Sequence, residues 1–192
     1  PIYASFDFRD ADYKIAPVDA NLFPAGFNNI CPDDLEQAPA LAVSALKQVL
    51  GKEPDSILIL PENHTRNHFY AENLYELRQV FRGAGIRAEL GWWENEEQAR
   101  ETAVGPDGLV HLTTPEGTEL TATPVRREGN RIIAGDFNPD VIFLNNDYSS
   151  GAPALLEGLA QPLIPSPRLG WHTRRKDRFF THYNALVADF AK

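Results

Sequence analysis

The stretch SILILPENHTRNHFYAENLYELRQVFRGAGIRAELGWW, residues 56 to 93, decides the fold class of this chain. Residues 56–61 form a short, continuous apolar run, which is typical of a parallel strand that is buried on both faces. A polar loop and an apolar stripe at helical spacing follow, and residues 86–93 form a second strand. The stripe consists of Phe69, Tyr70, Leu74, Leu77, Val80 and Phe81, and it ends at Gly83 and Gly85. Strand, helix, strand in this order predicts a parallel α/β unit.

The rest of the chain extends this pattern. Residues 141–144 predict a third buried strand, followed by a polar loop and a helix from about Pro153. Further helices are predicted over residues 39–50, ended by Gly51, and from near Thr173 to the end of the chain, where Phe179, Phe180, Tyr183, Leu186, Val187 and Phe190 share one face. Residues 105–135 are richer in Gly, Thr and Pro, and TPVRREGNRIIAG within them predicts two short strands joined by a turn at Glu128, Gly129 and Asn130. We expect this region to form an antiparallel appendage on the sheet. We expect one α/β domain over residues 1–192 with a mainly parallel sheet.

The N-terminal region predicts two strands and an irregular loop. Ile2, Ala4, Phe6 and Phe8 alternate with more polar residues, which predicts a half-buried opening strand. A second strand from Lys14 to Val18 leads into VDANLFPAGFNN, residues 18–29. This stretch fits neither a helical nor a strand period. Its composition suits a turn as well as the wall of a pocket.

Charge and cysteine content limit the function classes. The net charge of −9 argues against broad binding to nucleic acid or membranes, because a phosphate surface would repel most of the protein. Small molecules or a protein are the expected partners. Cys31 is the single cysteine, so no disulfide framework exists, and a reducing cytoplasm is expected. No run approaches the roughly 20 apolar residues that span a bilayer.

Two polar loops leave the buried strands at their carboxyl ends, where ligands bind in open parallel sheets. We therefore expect the loops to share one site. The first loop, ENHTRN, precedes a helix N-terminus, whose free N–H groups and positive dipole end suit a carboxylate or a phosphate. The alternative is that Thr65 or Asn67 only caps the helix. Its candidate binding residues are Glu62, His64, Arg66 and Asn67.

The second loop, NNDYSSG, directly follows the strand at 141–144. Asp147 would pair with the ammonium group of an amino acid, and the serine hydroxyls would bind its carboxylate. The alternative is an ordinary strand-to-helix connection, because Asn, Asp, Ser and Gly are common turn residues. Its candidate binding residues are Asn145, Asn146, Asp147, Ser149 and Ser150.

A basic cluster lies at residues 168–178, RLGWHTRRKDR, where five Arg or Lys and one Asp give a local charge of +4. Cations are electrostatically unfavourable at the start of a helix, so the placement favours a polyphosphate ligand over a solvated face. Arg174, Arg175 and Lys176 would be its contacts, since guanidinium groups bind phosphate bidentately.

Motifs of several common sites are missing. No GxGxxG, P-loop or HExxH pattern occurs, and Cys31 lies in no nucleophile motif. His64 and His68 have helical spacing but lack a clear third ligand, so no metal site is predicted within the chain.

Four motifs, VDANLFPAGFNN, PENHTRNHFYAENL, LNNDYSSGAP and GWHTRRK, resemble in this order the proteobacterial glutamate–cysteine ligase family of the ATP-grasp group. The likeness covers the whole chain. It implies a Rossmann-like pre-ATP-grasp domain, with an ATP-grasp domain expected after residue 192 and absent from this chain. It also implies that ATP phosphorylates the side-chain carboxylate of glutamate, which the amine of cysteine then attacks. Such chemistry needs positioning and charge neutralisation rather than a protein nucleophile, in keeping with the missing motifs.

The resemblance also implies roles for residues. Arg174 and Arg175 would be catalytic, and Lys176 would contact ATP. Asp19, Asn21, Asn28 and Asn29 would belong to the substrate site, with Phe23 and Phe27 as packing that fixes their loop. ATP and Mg²⁺ would be bound mainly by the absent part, so this chain alone would be inactive.

Two functions remain open at this point. The first is the substrate-binding part of a ligase that makes γ-glutamylcysteine, the first step of glutathione biosynthesis, from L-glutamate, L-cysteine and ATP. The second is a non-catalytic domain that binds an amino acid or a nucleotide. The sequence leaves open which loop would bind which amino acid and whether the protein forms a homo-oligomer.

Overall fold

The computed structural model describes residues 2–23, 26–62, 67–93 and 104–192, apart from the side chain of Asp19. Within these ranges the chain forms nine strands and three α-helices. The strands are β1 (Ser5–Asp10), β2 (Ile15–Asn21), β3 (Ser56–Pro61), β4 (Arg87–Trp92), β5 (Val110–Thr113), β6 (Glu119–Glu128), β7 (Arg131–Ala134), β8 (Val141–Asn145) and β9 (Leu163–Ile164). The helices are α1 (Pro32–Leu50), α2 (His68–Gly83) and α3 (Lys176–Phe190).

The central sheet has the order β5-β6-β4-β3-β8-β9, and β7 pairs with the outer part of β6. Strand β3 lies in the middle and runs parallel to both β4 and β8. Helix α2 connects β3 to β4, so the predicted strand, helix, strand unit is confirmed. The α/β fold class with a mainly parallel sheet is confirmed as well.

Side chains of the central strands enter two apolar clusters, one on each face of the sheet. Ile57 and Ile59 pack with α1 and α2, whereas Leu58 and Leu60 pack on the opposite face with Phe23. Because both faces are covered, β3 is apolar at nearly every position rather than at alternate ones.

The predicted antiparallel appendage is hydrogen-bonded directly to the parallel part of the sheet. Strand β6 is antiparallel to β5 over residues 119–122, parallel to β4 over residues 122–124 and antiparallel to β7 over residues 125–128. The predicted turn is confirmed, since Glu128 of β6 pairs with Arg131 of β7.

The predicted helix from about Pro153 is wrong. A single 3-10 turn, Ala154–Leu156, buries Leu155 and Leu156 against the sheet, and Glu157 is already extended. Gly158 then adopts a positive φ of 63°. Because neither extended nor left-handed backbone continues a right-handed helix, the segment stops after one turn.

Two predicted helix starts are displaced. Helix α1 begins at Pro32 rather than residue 39, because a proline at the first position with Asp33 and Asp34 behind it suits a helix start. Pro39 lies inside this helix. Helix α3 begins at Lys176 rather than near Thr173, whose hydroxyl donates to the carbonyl oxygens of Arg168 and Gly170 in a preceding turn.

Several predicted core positions are exposed instead. Strand β1 pairs only with β2, in a separate two-stranded sheet, so Phe6 and Phe8 remain 54% and 60% exposed. Phe69 is also mostly exposed, although the rest of the α2 stripe faces the sheet. Helix α3 has the predicted amphipathic sequence, but none of its residues is buried.

Candidate functional site

The first turns of α2 join the two polar loops. The Tyr70 hydroxyl accepts a hydrogen bond from the backbone N–H of Glu62 at 2.7 Å and lies 2.7 Å from Oδ1 of Asn145, to which it donates. Glu62 follows β3 and Asn145 ends β8, and Pro61 and Asn145 are paired in the sheet. The strand ends that carry the two loops therefore lie side by side at one edge of the sheet. A binding site shared by the loops stays a prediction.

Helix α2 also holds the loop that follows β2. Oδ1 of Asn73 accepts the backbone N–H of Phe27 at 3.0 Å, and Nδ2 of Asn73 donates to Oδ1 of Asn145 at 3.3 Å. One position earlier on the helix, Glu72 accepts from Nδ2 of Asn28 at 3.0 Å. Three loops that are far apart in sequence thus share one helix end.

The GWHTRRK motif packs directly on the loop after β8. The backbone N–H of Trp171 donates to the carbonyl oxygen of Asp147 at 3.0 Å, and Nδ1 of His172 donates to the carbonyl oxygen of Tyr148 at 2.9 Å. Gly170 has no room for a side chain, because a Cβ atom there would collide with the Asp147 carbonyl oxygen. All four sequence motifs therefore meet in one region.

A cavity of about 170 Å³ lies in this region. Its polar lining comes from Asn146, Tyr148, Ser149 and Ser150 of the second loop. Its apolar lining includes Leu60, Trp93, Leu155 and Leu156. A small cavity with hydroxyl and amide groups on one side and apolar groups on the other suits a small polar molecule with an aliphatic part.

Tyr148 is held in an unusual backbone conformation beside this cavity. Its φ is +48°, in the left-handed region that a bulky residue rarely adopts. Its N–H donates to Oδ1 of Asn146 at 2.9 Å, and its carbonyl oxygen accepts from Gly151 at 2.9 Å. Its ring meets that of Phe23 edge to face, with centroids 6.3 Å apart. The surrounding contacts therefore fix the position of the Tyr148 ring.

Glu62 gives this edge of the sheet a negative group. Burial raises the pKa of both Tyr70 and Tyr148, and the nearby Glu62 carboxylate raises both pKa values further. Both tyrosines are therefore neutral at physiological pH and keep their hydroxyl protons. A carboxylate at this position is suited to the ammonium group of an amino acid.

Four predicted site residues use a side-chain oxygen for local backbone structure. Oδ1 of Asn21 accepts the N–H of Phe23, and Oδ1 of Asn67 caps α2 at Tyr70. Oδ1 of Asn146 accepts the N–H of Tyr148, and Oδ1 of Asp147 accepts the N–H of Ser149. For Asn67 this is the capping role that the sequence left open. Contact of these side chains with a substrate stays a prediction.

The basic cluster divides into a tethered and an exposed part. Arg174 is half-buried; its Nε donates to the Leu169 carbonyl oxygen and its Nη1 to that of Ala20 at 3.1 Å. Arg175 is exposed and pairs with Asp177 at 3.2 Å. The Lys176 ammonium lies 5.7 Å from the centre of the Trp171 ring, and the Arg174 guanidinium lies 5.1 Å from it. Arg174 thus connects β2 to the turn before α3.

The remaining predicted residues are distributed as follows. Asn29 is exposed in the short 3-10 turn Phe27–Asn29, and Ser149 and Ser150 are exposed at the cavity mouth. His64, Arg66 and the side chain of Asp19 lie outside the described residues.

Among the described residues, no group of three or more His, Cys, Asp or Glu side chains is arranged to hold a metal ion. Among the described helices, none is both long and apolar enough to cross a membrane.

Sequence reasoning missed the residues that join the motifs. Tyr70 was counted as part of an apolar stripe, and Asn73 was not singled out, although an asparagine on the buried face of a helix needs a polar partner. Neither Gly170 nor Tyr148 lies in a local sequence pattern that would predict its role. Their roles depend on contacts between segments that are more than 20 residues apart.

Comparison with known proteins gives a family match and a structural match. The family GshA, glutamate-cysteine ligase, matches residues 1–192. A crystal structure of a candidate gamma-glutamylcysteine synthetase from Methylobacillus flagellatus KT has 42% sequence identity and a TM-score of 0.84. The match covers 100% of this chain and 43% of that one, so this chain spans less than half the length of that relative. No curated protein matches the chain.

Proposed function

Because the chain belongs to the glutamate–cysteine ligase family, we propose that it is the amino-acid-binding part of an ATP-dependent ligase that forms γ-glutamylcysteine from L-glutamate and L-cysteine. The observation that carries the proposal is the meeting of all four motifs around the carboxyl ends of β3 and β8. Ligands of open parallel sheets bind at this edge.

The chemistry of the cavity supports an amino acid as ligand. The Ser149 and Ser150 hydroxyls at the mouth offer donors for a carboxylate. Glu62 does not line the cavity, but its carboxylate is close enough to Tyr148 to raise the pKa of that residue, and it would attract the ammonium group. The apolar side, with Leu60 and Leu155, suits the methylene groups of the ligand. A zwitterion would thus meet groups of matching charge and polarity at both ends.

In the proposed reaction ATP supplies a phosphoryl group to the side-chain carboxylate of glutamate, and the amine of cysteine then displaces phosphate to form the amide bond. The residues of this chain would bind and orient the amino acids. Positioning of two reactants can account for a large share of the rate enhancement in such a reaction. We assign the binding of Mg²⁺ and of most of the ATP molecule to the part of the longer protein that lies outside this chain. We also propose that the reaction takes place in the cytoplasm.

The test is an assay of the full-length protein with ATP, L-glutamate and L-cysteine. We expect equal amounts of ADP, phosphate and γ-glutamylcysteine, and no γ-glutamylcysteine when either amino acid is omitted. Binding of glutamate without ATP turnover would instead support a non-catalytic binding protein and would contradict the ligase proposal.

A further inference from the structure

An apolar groove separates the two-stranded sheet of β1 and β2 from helix α3. Its volume is about 1020 Å³, and it shares no lining residue with the cavity at the candidate site. We call it the ribbon groove. The sheet contributes Phe6, Phe8 and Ile15 to its lining, and α3 contributes Phe179, Tyr183 and Leu186. Both walls of the groove are therefore apolar.

The wall formed by β1 and β2 is incompletely covered. Phe6 and Phe8 lie two positions apart in β1, so their side chains point to the same face of the sheet. Ile15 of β2 also lines the groove, and all three side chains are more than half exposed. A two-stranded sheet is at best marginally stable in water unless a further strand or a helix covers its apolar face. Within the described part of the chain, this sheet lacks such cover.

Helix α3 forms the opposite wall. Phe179, Tyr183 and Leu186 follow one another at spacings of four and three residues, so they share one face of the helix. Leu186 is 67% exposed, and no residue of α3 is buried. A 15-residue helix with little tertiary packing is marginally stable in water as well. Two marginal elements thus turn their apolar faces to the same groove.

The groove also has positive charge at the start of α3. Arg174, Arg175 and Arg178 belong to its lining. Nη1 of Arg174 donates to the carbonyl oxygen of Ala20 at 3.1 Å, which ties the turn before α3 to β2 at this end. Guanidinium groups beside apolar surface favour an occupant that carries both apolar and acidic side chains. Large exposed apolar patches with a polar rim mark surfaces that bind protein.

The longer protein offers an occupant in a favourable position. This chain corresponds to 43% of the relative from Methylobacillus flagellatus KT, so a full-length protein of that size has more residues outside the chain than within it. Leu186 lies only six residues before Lys192, a distance of about 9 Å along a helix. A segment that continues from Lys192 starts beside the groove, and its effective concentration there exceeds that of any separate partner.

We infer that the segment of the longer protein that follows Lys192 folds back onto the ribbon groove and buries the apolar faces of the β1–β2 sheet and of α3. The groove is then an interface within one molecule. The inference concerns the assembly of the longer protein and does not depend on the reaction that the protein catalyses.

Hydroxyl-radical footprinting of the full-length protein tests whether the groove is covered, because it reports the solvent exposure of single side chains. We expect Phe8 and Leu186 to be oxidised several times more slowly than in the same protein unfolded in urea. Tyr13 is the internal control, since it lies in the turn of the same sheet, outside the groove, and is 89% exposed. It should be oxidised almost as fast as in the unfolded protein.

Photo-cross-linking identifies the occupant. We propose to replace Leu186 by the photoreactive amino acid p-benzoylphenylalanine in the full-length protein and to map the cross-linked peptides by mass spectrometry. We expect cross-links within one molecule, from position 186 to peptides that follow Lys192.

The substitution Leu186→Gln tests whether the contact stabilises the protein. Glutamine has nearly the helix propensity of leucine, so the loss of apolar contact is the main change. We expect the melting temperature of the full-length protein to fall by about 3 °C or more. Leu41→Gln is the matched control, because Leu41 is 65% exposed on α1 and lies outside the groove. Its melting temperature should stay within about 1 °C of the wild type. If Leu186→Gln does not fold, Phe8→Thr, which suits a strand, takes its place with the same expectation.

Any of three results would overturn the inference. Oxidation of Phe8 and Leu186 at the rate of the unfolded protein would show that the groove is open to solvent. Cross-links only between two molecules, or only to residues that precede Pro1, would identify a different occupant. A melting temperature of Leu186→Gln that is no lower than that of Leu41→Gln would show that nothing packs on this face of α3.

Discussion

At the scale of single residues, asparagine side chains divide between local turns and contacts across the fold. Asn21, Asn67 and Asn146 accept backbone N–H groups two or three positions ahead of them. Asn73 and Asn145 instead bond to each other across 72 positions of sequence. The two kinds are indistinguishable by residue type, because the amide group serves turns and buried networks equally well.

Arg174 provides a first prediction. Replacement by alanine removes two hydrogen bonds from a charged donor to the Leu169 and Ala20 carbonyl oxygens. We expect the free energy of unfolding to fall by about 2 kcal/mol, as measured by urea denaturation of the full-length protein. Arg175→Ala is the control, because an exposed ion pair contributes less than about 1 kcal/mol. Equal effects of the two substitutions would contradict the structural role of Arg174.

Gly170 provides a second prediction. Gly170→Ala would bring a methyl group against the Asp147 carbonyl oxygen, and a backbone atom cannot move aside cheaply. We expect displacement of the loop after β8, a lower melting temperature and weaker amino-acid binding. Gly51→Ala, at a helix end with no atom within 4 Å but a φ of +76°, is the comparison. It should cost about 1 kcal/mol of stability and leave binding unchanged. Wild-type amino-acid binding by Gly170→Ala would contradict the packing of the two motifs.

At the scale of elements, the two ends of β3 and β8 have different tasks. The carboxyl ends carry the candidate site, whereas the amino ends are joined by Asp140. One carboxylate oxygen of Asp140 accepts from the N–H groups of Asp55 and Ser56 and from the Ser56 hydroxyl, at 2.9 to 3.1 Å. This cluster holds the strands in register without approaching the cavity lining.

The separation of these tasks gives a third prediction. Asp140→Ala should lower the free energy of unfolding by about 2 to 3 kcal/mol, because three donors to a charged acceptor lose their partner. The dissociation constants of glutamate and cysteine should stay within twofold of the wild type. Asp136→Ala, in an exposed turn of the same segment, is the control for the loss of a negative charge. A binding defect in Asp140→Ala at a temperature where it is folded would show that register and site are coupled.

Helix α3 is less well covered than α1 and α2. Helix α3 has no buried residue, and Phe190 is 94% exposed. A 15-residue helix with little tertiary packing is only marginally stable in water. Local sequence therefore determines α3 as a helix, while Phe179, Phe180 and Tyr183 on its apolar face are only half-buried within the described part of the chain.

At the scale of the whole molecule, charge is unevenly distributed. The chain carries −9 in total, yet the segment 168–178 carries +4 and packs on the loop after β8. We predict that Arg175→Ala with Lys176→Ala, in the full-length protein, weakens ATP binding more than glutamate binding. The dissociation constants of ATP and of glutamate, each measured by titration, test this prediction. An unchanged ATP dissociation constant would identify the cluster as a solvated face.

The length of the relative leads to the fifth prediction. This chain corresponds to 43% of the candidate synthetase from Methylobacillus flagellatus KT, and its described residues form no metal site. We expect residues 1–192 alone to produce no γ-glutamylcysteine under conditions in which the full-length protein does. An assay of the γ-glutamylcysteine formed tests this prediction. Turnover by residues 1–192 alone would show that the ATP site lies within this chain.

The sequence by itself determined the order of strands and helices around β3, because a buried parallel strand needs an unbroken apolar run and α2 needs an apolar stripe. It also predicted that the loops after β3 and β8 meet, since carboxyl ends of parallel strands share an edge. Local patterns failed after Pro153, where a single turn ends at the extended Glu157 and is followed by the left-handed Gly158.

Only the tertiary structure decided what the polar residues do. Tyr70, Asn73 and Asn145 form one network although they come from different motifs, and Arg174 faces a carbonyl oxygen 154 residues away. Periodicity reports which face of an element is apolar, because burial depends on neighbours within the element. Hydrogen-bond partners depend on which segments are adjacent in space, and that information appears only when the chain is folded.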